Sequence, residues 1–355
     1  MRLMNAFGDA AEHTILSAVP DQMGARDAID PAIAVHFPTD APSLQGKPGP
    51  GRYRALADYM RGFDLVLSYN WGSMDVVGAR RMFPAGCPPL IHHEDGFNAD
   101  EADRLNWKRN LFRRMMLPAA EALVVPSERL EEIARTIWHQ PKDRLHRIPN
   151  GIDTARYAVP PEAGAIPGLT RQDGDVIIGT LAGLRAVKNL PRLVRAVAAL
   201  PAHVKLVIVG EGPERAAIVA EATGLGMADR LLMPGFLAEP HRYVGHFDIF
   251  ALSSDSEQFP ISLVEAMAAG LPAVATDVGD VKAMVAYENR DLIVPANEEA
   301  SFEAALDLLS WDATMRRQLG SANAQKARAD FDETAMISHY AALYGLPDPT
   351  TGVAA

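Results

Sequence analysis

Cysteine is nearly absent from this chain: Cys87 stands alone among 355 residues, so no internal disulfide can staple the fold, and a reducing compartment suits it. Long apolar runs are missing as well. No stretch approaches the roughly 18 apolar residues of a membrane span, and the opening residues lack the apolar core of a secretory signal. Positive charge is short. Lys and Arg number 34 against 45 Asp and Glu, a formal net charge of -11, which argues against nucleic acid as the main partner. These absences point to a cytoplasmic globular protein, with peripheral contact at an inner membrane face as the one membrane role left open. What is present agrees, since 48% hydrophobic and 22% charged residues are ordinary for a soluble fold, and 355 residues exceed what one core usually covers.

Apolar strand-like runs alternate with helical patterns along the chain, as in a doubly wound α/β fold. Strands are expected at His13 to Val19, Ala32 to Phe37, Leu65 to Asn70, Pro89 to His93, Ala122 to Ser127 and Leu145 to Pro149. Helices are expected at Tyr53 to Arg61, Met74 to Met82, Glu101 to Met116 and Glu128 to Trp138. Asn150-Gly151-Ile152-Asp153 closes a first domain, 1–153. A second, 154–325, begins with a Pro/Gly-rich linker and repeats the alternation, with strands at Val176 to Leu181, Val204 to Val209, Arg230 to Met233, Asp248 to Ser254, Ala273 to Thr276 and Leu292 to Val294. A helical tail follows from Asp312 to Leu346, its last part in a segment 326–355.

The most informative stretch is Ser253 to Asp280, SSDSEQFPISLVEAMAAGLPAVATDVGD. It leaves a strand through a polar loop and enters a helix whose first turn is expected to hold Pro260. Glu257 in the loop and Glu265 on the helix place two carboxylates around a helix N-terminus. The backbone of Phe259, Pro260, Ile261, Ser262 and Leu263 and the helix dipole favour an anion there. A phosphate cradle flanked by two acceptors of vicinal hydroxyls suits a nucleotide sugar. The plain alternative is a strand, loop and helix with two surface glutamates.

Glu257, seven residues, Glu265 and then AMAAGLPAVATDVG resembles the donor-site signature of retaining family 4 glycosyltransferases of the GT-B fold. The resemblance covers Ile148 to Pro295 strongly and Ala32 to Ser127 loosely. It implies two doubly wound Rossmann-like domains facing a cleft, and transfer of a hexose from a UDP- or GDP-type nucleoside diphosphate sugar to a glycan or lipid-linked hydroxyl acceptor, with retention and without a cofactor or metal. Residue by residue, it implies that Glu265 holds the ribose, Arg185 and Lys188 of the GLRAVKN segment clamp the diphosphate beside Gly183, and Gly210 and Gly212 of GEGP line the base. It also implies that Glu257 binds the sugar and that His92 or His93 contacts it from the first domain, the departing phosphate taking the acceptor proton. Two departures bear on this. Gln258 replaces a common glycine, which puts sugar preference in question. The first strand and glycine-rich loop expected before Arg2 to Phe7 are not in the sequence, so the first domain is expected to lack its first strand, and Met1 is as consistent with a truncated start as with a variant fold.

Other features weigh differently. Ile91 to Phe97, IHHEDGF, has metal-ligand residue types, but adjacent strand residues point to opposite faces and no further cluster completes a set. Asp173-Gly174-Asp175 precedes a strand rather than following one, so it reads as a turn. Arg104, Lys108, Arg109, Arg113 and Arg114 interleave with Leu105, Trp107, Leu111, Phe112 and Met115, which fits either a solvated helix face or one that docks on an anionic bilayer. A nucleotide-sugar hydrolase or epimerase, or a non-catalytic sugar-nucleotide binder, would share the donor residues.

Overall fold

The computed structural model describes residues 1–19, 24–97, 101 and 105–352. The chain forms two compact units, 1–149 with 334–355, and 150–333.

In the first unit a two-stranded parallel sheet, β1 (His13–Thr14) with β2 (Val35–His36), accompanies a four-stranded parallel sheet, β3 (Val66–Tyr69), β4 (Leu90–His93), β5 (Ala122–Val125) and β6 (Leu145–Arg147), whose spatial order follows the chain. The first two strands are much shorter than their apolar runs. Ser17 Oγ takes the N–H of Val19, and Asp30 takes those of Ala32 and Ile33, so local turns claim backbone that a strand would use. A cavity of about 410 Å³ lies between the two sheets, lined by Thr14 to Ala18 on one side and Leu65 to Tyr69 on the other.

Every residue of β4 and β5 is buried, as parallel strands covered on both faces must be. One face carries the helices Pro50–Met60, Met74–Met82 and Glu128–Thr136, packed around Leu56, Val77, Leu123 and Trp138. The other is covered by Phe7 and the helix Glu333–Tyr344, through Met336, Ile337 and Tyr340. The helix expected from Glu101 begins at Trp107, because the side chain of Asn106 accepts the N–H groups of Lys108 and Arg109 as an N-cap. Arg104 falls outside the described residues.

The second unit is a six-stranded parallel sheet of β7 (Val176–Leu181), β8 (Val204–Val209), β9 (Leu231–Gly235), β10 (Ile249–Leu252), β11 (Ala273–Thr276) and β12 (Ile293–Val294), in the order β12-β11-β10-β7-β8-β9. Gly179 in the middle of β7 is required by packing: a Cβ there would stand 2.1 Å from the ring of Phe247. The helical tail consists of two helices, Ala313–Asp330 and Glu333–Tyr344. The break is made by Ile152, whose N–H donates to Phe331 O and whose carbonyl accepts from Glu333 N–H, so the Phe331 carbonyl and the Glu333 N–H are taken out of a continuous helical ladder. Gly151 permits that approach, since a Cβ there would lie 2.7 Å from Glu333 Cα.

Candidate active site

In the second unit the chain runs β7 to β8 to β9 in one direction, then returns to place β10 on the opposite side of β7. The strand order therefore reverses between β7 and β10, and in open parallel sheets the crevice outside the carboxyl ends at such a point is where ligands bind. The loop after β7 carries Gly183, Arg185 and Lys188. That after β10 carries Ser253 to Pro260.

The two loops are joined by side chains and backbone. Lys188 Nζ donates to Glu257 Oε1 at 2.5 Å, the Lys and Glu side chains being 16% and 9% exposed. Ser254 Oγ donates to the same carboxylate oxygen at 2.7 Å. Asp255 N–H donates to Val187 O, and Ser253 Oγ to Lys188 O. Arg192, held nearly buried on the next helix, bonds the carbonyl of Ser253 and the carboxylate of Asp255. The left-handed Asn189, φ 42°, starts that helix by accepting from Arg192 N–H and also bonds Asp255. Arg185 is exposed beside Gly183. The crevice floor thus brings a lysine and a carboxylate together and leaves an arginine in solvent at its rim.

The helix after the loop spans Ile261–Ala268, and Pro260 is its N-cap rather than part of its first turn, with φ -71° and ψ 108°. The difference follows from the loop: Leu263 N–H already bonds Pro260 O, so the ladder begins one residue later. Gly279 clamps the loop from behind, as a Cβ there would meet Glu257 O at 2.4 Å. Phe259 is fixed by an edge contact with Phe331 at 5.5 Å. Glu265 accepts from Tyr157 Oη at 2.9 Å, and burial, with a smaller push from the Glu265 charge, raises the Tyr243 hydroxyl above the ordinary tyrosine range. Tyr157, Ser254, Arg192 and Gly279 were not singled out in the sequence. Ser254 could have been found by its place three residues before Glu257, whereas Tyr157 gives no local signal.

Gly210 and Gly212 meet protein backbone. A Cβ on Gly210 would stand 1.9 Å from Ala182 O, and one on Gly212 2.5 Å from Leu184 O. Leu184 N–H bonds Glu211 O and Glu214 N–H bonds Leu184 O, so the turn after β8 and the loop after β7 form one braced pair. Asp175 accepts from Lys205 at 2.6 Å and from Gln172 N–H, as a turn residue does.

In the first unit His92 and His93 sit at the end of β4 with 0% and 2% exposure. The His93 ring uses both nitrogens: Nδ1 bonds Ser68 O at 3.2 Å, and Nε2 pairs with Tyr344 Oη at 2.8 Å. Tyr69 stacks on it at 4.4 Å, and burial pushes its pKa down to about 3, so it is neutral at ordinary pH. His92 points the other way. Its Nδ1 bonds Ser68 Oγ at 2.8 Å, and its Nε2 lies 3.5 Å from Glu94 without a hydrogen bond. Glu94 accepts a forked pair from Arg113, at 3.0 and 3.1 Å, and the Arg113 guanidinium lies about 5 Å from the rings of Trp71, Phe97 and Trp138. Among the described residues no group of three or more His, Cys, Asp and Glu is placed to hold a metal ion.

Comparison with known proteins adds to this geometry. Residues 166–326 match the family model "Glycosyl transferases group 1", and residues 3–156 match "Glycosyltransferase Family 4". The chain belongs to the family 4 type glycosyltransferases of the GT-B fold. It is 32% identical over 208 residues to the putative glycosyltransferase EpsF of Bacillus subtilis, a match covering 54% of this chain and 52% of that one. It is 27% identical to a D-inositol 3-phosphate glycosyltransferase of Nocardia farcinica over 82% of this chain and 70% of the other. With EpsF, therefore, the chain shares about half of the relative's length. The crystal structure of Anabaena HepE in complex with UDP superposes with a TM-score of 0.73 at 20% identity, over 88% of this chain and 86% of HepE, a likeness of fold. For this glycosyltransferase family member, no described helix is long and apolar enough to cross a membrane.

Proposed function

We propose that the chain is a retaining, metal-independent transferase that moves a hexose from a nucleoside diphosphate sugar to a hydroxyl of a glycan or lipid-linked acceptor, working in the cytoplasm and, for a lipid-linked acceptor, at the inner membrane face. The observation that carries this reading is the Lys188 to Glu257 contact across the point where the strand order reverses. A cation and a hydroxyl-binding carboxylate are held there, with the helix N-terminus of Ile261–Ala268 next to them.

In this reading Glu265 accepts the ribose hydroxyls, and Arg185 and Lys188 take the diphosphate with the first-turn N–H groups. Lys188 exchanges Glu257 for phosphate when donor binds, which frees Glu257 for the sugar. Arg185, Lys188 and the helix N-terminus supply the positive charge that a divalent cation would otherwise give the leaving group. The departing phosphate then takes the acceptor proton. His92 and His93, to which the family resemblance gives the sugar contact, are both closed off inside the first unit at 0% and 2% exposure, and both ring nitrogens of His93 are engaged. UDP-sugars are the donors to try first, given the likeness to HepE, whose structures include UDP and UDP-glucose complexes.

Calorimetry tests the order of ribose, phosphate and sugar. Glu265→Gln is expected to weaken bare nucleoside diphosphate by about 1.5–3 kcal/mol. Glu257→Gln is expected to leave that affinity intact and lower donor turnover. Equal weakening by both would overturn the order, and unchanged binding in Arg185→Ala/Lys188→Ala would remove the diphosphate assignment. Sugar released equally with and without acceptor would indicate a hydrolase, and activity lost in EDTA and restored by manganese would refute metal independence.

A further inference from the structure

The chain leaves β3 through a strained residue. Asn70 has φ 56° and ψ -176°, a conformation open almost only to glycine. It is held there by its N–H, which donates to His93 O at 2.7 Å, and by its side chain, which accepts the N–H of Asp95 at 2.7 Å. Directly after it, Trp71 and Gly72 enter the wall of a second cavity, about 450 Å³, at the carboxyl ends of β1 and β3. Trp71 is half-buried, with Phe112 edge-on to it at 5.7 Å. The facing wall is the helix Trp107–Met116, through Lys108, Arg109 and Phe112. The charges here do not cancel. Asp75 lines the cavity but is committed to Arg52 at 2.8 Å. Arg109 pairs with Glu101 at 2.8 Å, and Arg113 with Glu94 and Glu101, so two carboxylates serve two guanidiniums. Lys108 is left over: it is exposed, its Nζ lies 5.7 Å from the centre of the Trp107 ring, and among the described residues it is in no ion pair.

We infer that this cavity binds an anionic saccharide, with the sugar ring against Trp71 and a phosphate or carboxylate on Lys108 and Arg109. Its volume lies within the roughly 300–1,000 Å³ of small-molecule sites, and an aromatic wall with a few converging polar groups is their usual make-up. The indole offers a broad apolar surface to the C–H face of a sugar ring, whose hydroxyls stay free for the rim. A surplus cation at a partly enclosed site is screened less than one in open water, so an anion brought by the ligand supplies the partner that the chain does not. The position agrees, since open parallel sheets gather ligands at the carboxyl ends of their strands, and a strained residue held at such an end marks the same place. In the transfer reaction proposed above this ligand is the acceptor, which thereby gains a charge; its role rests on that reading, whereas its binding does not.

The test is calorimetry of the full chain with three probes: methyl α-glucoside, the same glucoside bearing a phosphate on its primary hydroxyl, and methyl α-glucuronide. At least one of the two anions is expected to bind at least about tenfold more tightly than the neutral glucoside, with the preference shrinking when salt is raised to about 0.5 M. Which anion binds more tightly says whether the group is a phosphate or a carboxylate. Lys108→Glu, at an exposed position in a helix first turn where an acid is tolerated, is expected to erase the preference and leave the unfolding midpoint as in the parent. Gly72→Leu tests the cavity itself. A Cβ at Gly72 would meet only Ala18 Cβ, at 3.9 Å, so the larger side chain has room to enter the cavity and is expected to lower affinity for every probe at least about tenfold. Uridine diphosphate, which tests the donor reading, is expected to bind the parent and both variants equally, so each reading fails without the other. No binding of any probe, a neutral glucoside bound as tightly as both anions, an undiminished preference in Lys108→Glu, or unchanged affinity in Gly72→Leu overturns the inference.

Discussion

The carboxyl end of β4 and the carboxyl ends of β7 and β10 both gather charged and polar side chains, but they hold them in opposite ways. At β4, His92, His93, Glu94 and Arg113 are sealed inside the first unit, each within reach of a partner. At β7 and β10, Lys188 and Glu257 pair across a crevice while Arg185 stands in solvent. A sealed network fixes a strand end and gives up its partners only at the cost of a buried, uncompensated charge. An ion pair at a crevice exchanges partners cheaply, and that is what binding an anionic ligand asks of it. The two kinds of charge are told apart by what each costs to break.

The largest effect is expected inside the β4 network. Arg113→Met keeps much of the side-chain volume but leaves Glu94 buried without its forked partner, and removing one member of a buried pair costs about 3–5 kcal/mol. Urea unfolding followed by tryptophan fluorescence reads this directly, because Trp71 and Trp138 lie about 5 Å from the guanidinium. An exposed pair serves as control: Arg242→Met, which loses Glu162 at the surface, should change the midpoint little. Equal losses would show that the β4 charges are not held by burial.

His93 gives the next effect, through pH. Its folded pKa of about 3 lies below the ordinary 6.5, so the folded state favours the neutral ring. That contribution is fully present above pH 6.5 and is lost as pH falls from 6.5 toward 3, at up to about 1.4 kcal/mol per pH unit. Over two units the loss approaches about 3 kcal/mol. In His93→Gln the ring no longer titrates, so the difference in stability between parent and variant should shrink as pH is lowered from 7 to 4.5. A difference that stays constant would mean that the ring can be protonated in place.

At the crevice the corresponding change is smaller. Lys188→Met leaves Glu257 with Ser254 as a donor and with access to water, so stability should fall by only about 1–2 kcal/mol, read as a shift in urea midpoint. A loss as large as that of Arg113→Met would place Lys188 with the structural charges, and the proposed exchange of Glu257 for phosphate would then be too costly.

The strands and the loops that meet at the crevice were legible in the sequence, whereas the contrast between sealed and crevice charges was not, and the limit has a physical cause. The runs at Val176–Leu181 and Val204–Val209 are buried on both sides and bounded by turns, so their extents are local properties. Lys188 and Glu257 follow strands that lie side by side, so a reading that orders the strands also brings the loops together. The contacts that decide burial are not local. His93 is closed by Tyr344, 251 residues away, and Glu265 is held by Tyr157, 108 residues away. Neither pairing has a spacing to recognise. The strands β1 and β2 are shorter than their apolar runs for a related reason: a hydroxyl of Ser17 and a carboxylate of Asp30 compete for backbone that apolar content alone assigns to a strand.

The smallest effect is expected from a residue that no motif names. Tyr157 Oη donates to Glu265 Oε1 at 2.9 Å, and its ring packs edge-on to His241 at 6.0 Å. Tyr157→Phe keeps the ring and removes one hydrogen bond, so the fold should be nearly unaffected. If Glu265 binds the ribose, that bond sets the carboxylate orientation before the nucleotide arrives, and its loss should weaken nucleoside diphosphate by about 1 kcal/mol, roughly fivefold in Kd. Inorganic pyrophosphate, which has no ribose, should bind the variant and the parent equally. Adding Tyr157→Phe to Glu265→Gln should then cost less than the sum of the single changes, since the two side chains act through one contact. Tighter nucleotide binding in Tyr157→Phe would show that the hydroxyl competes with ribose for Glu265, and a tyrosine that positions the carboxylate would become one that guards it.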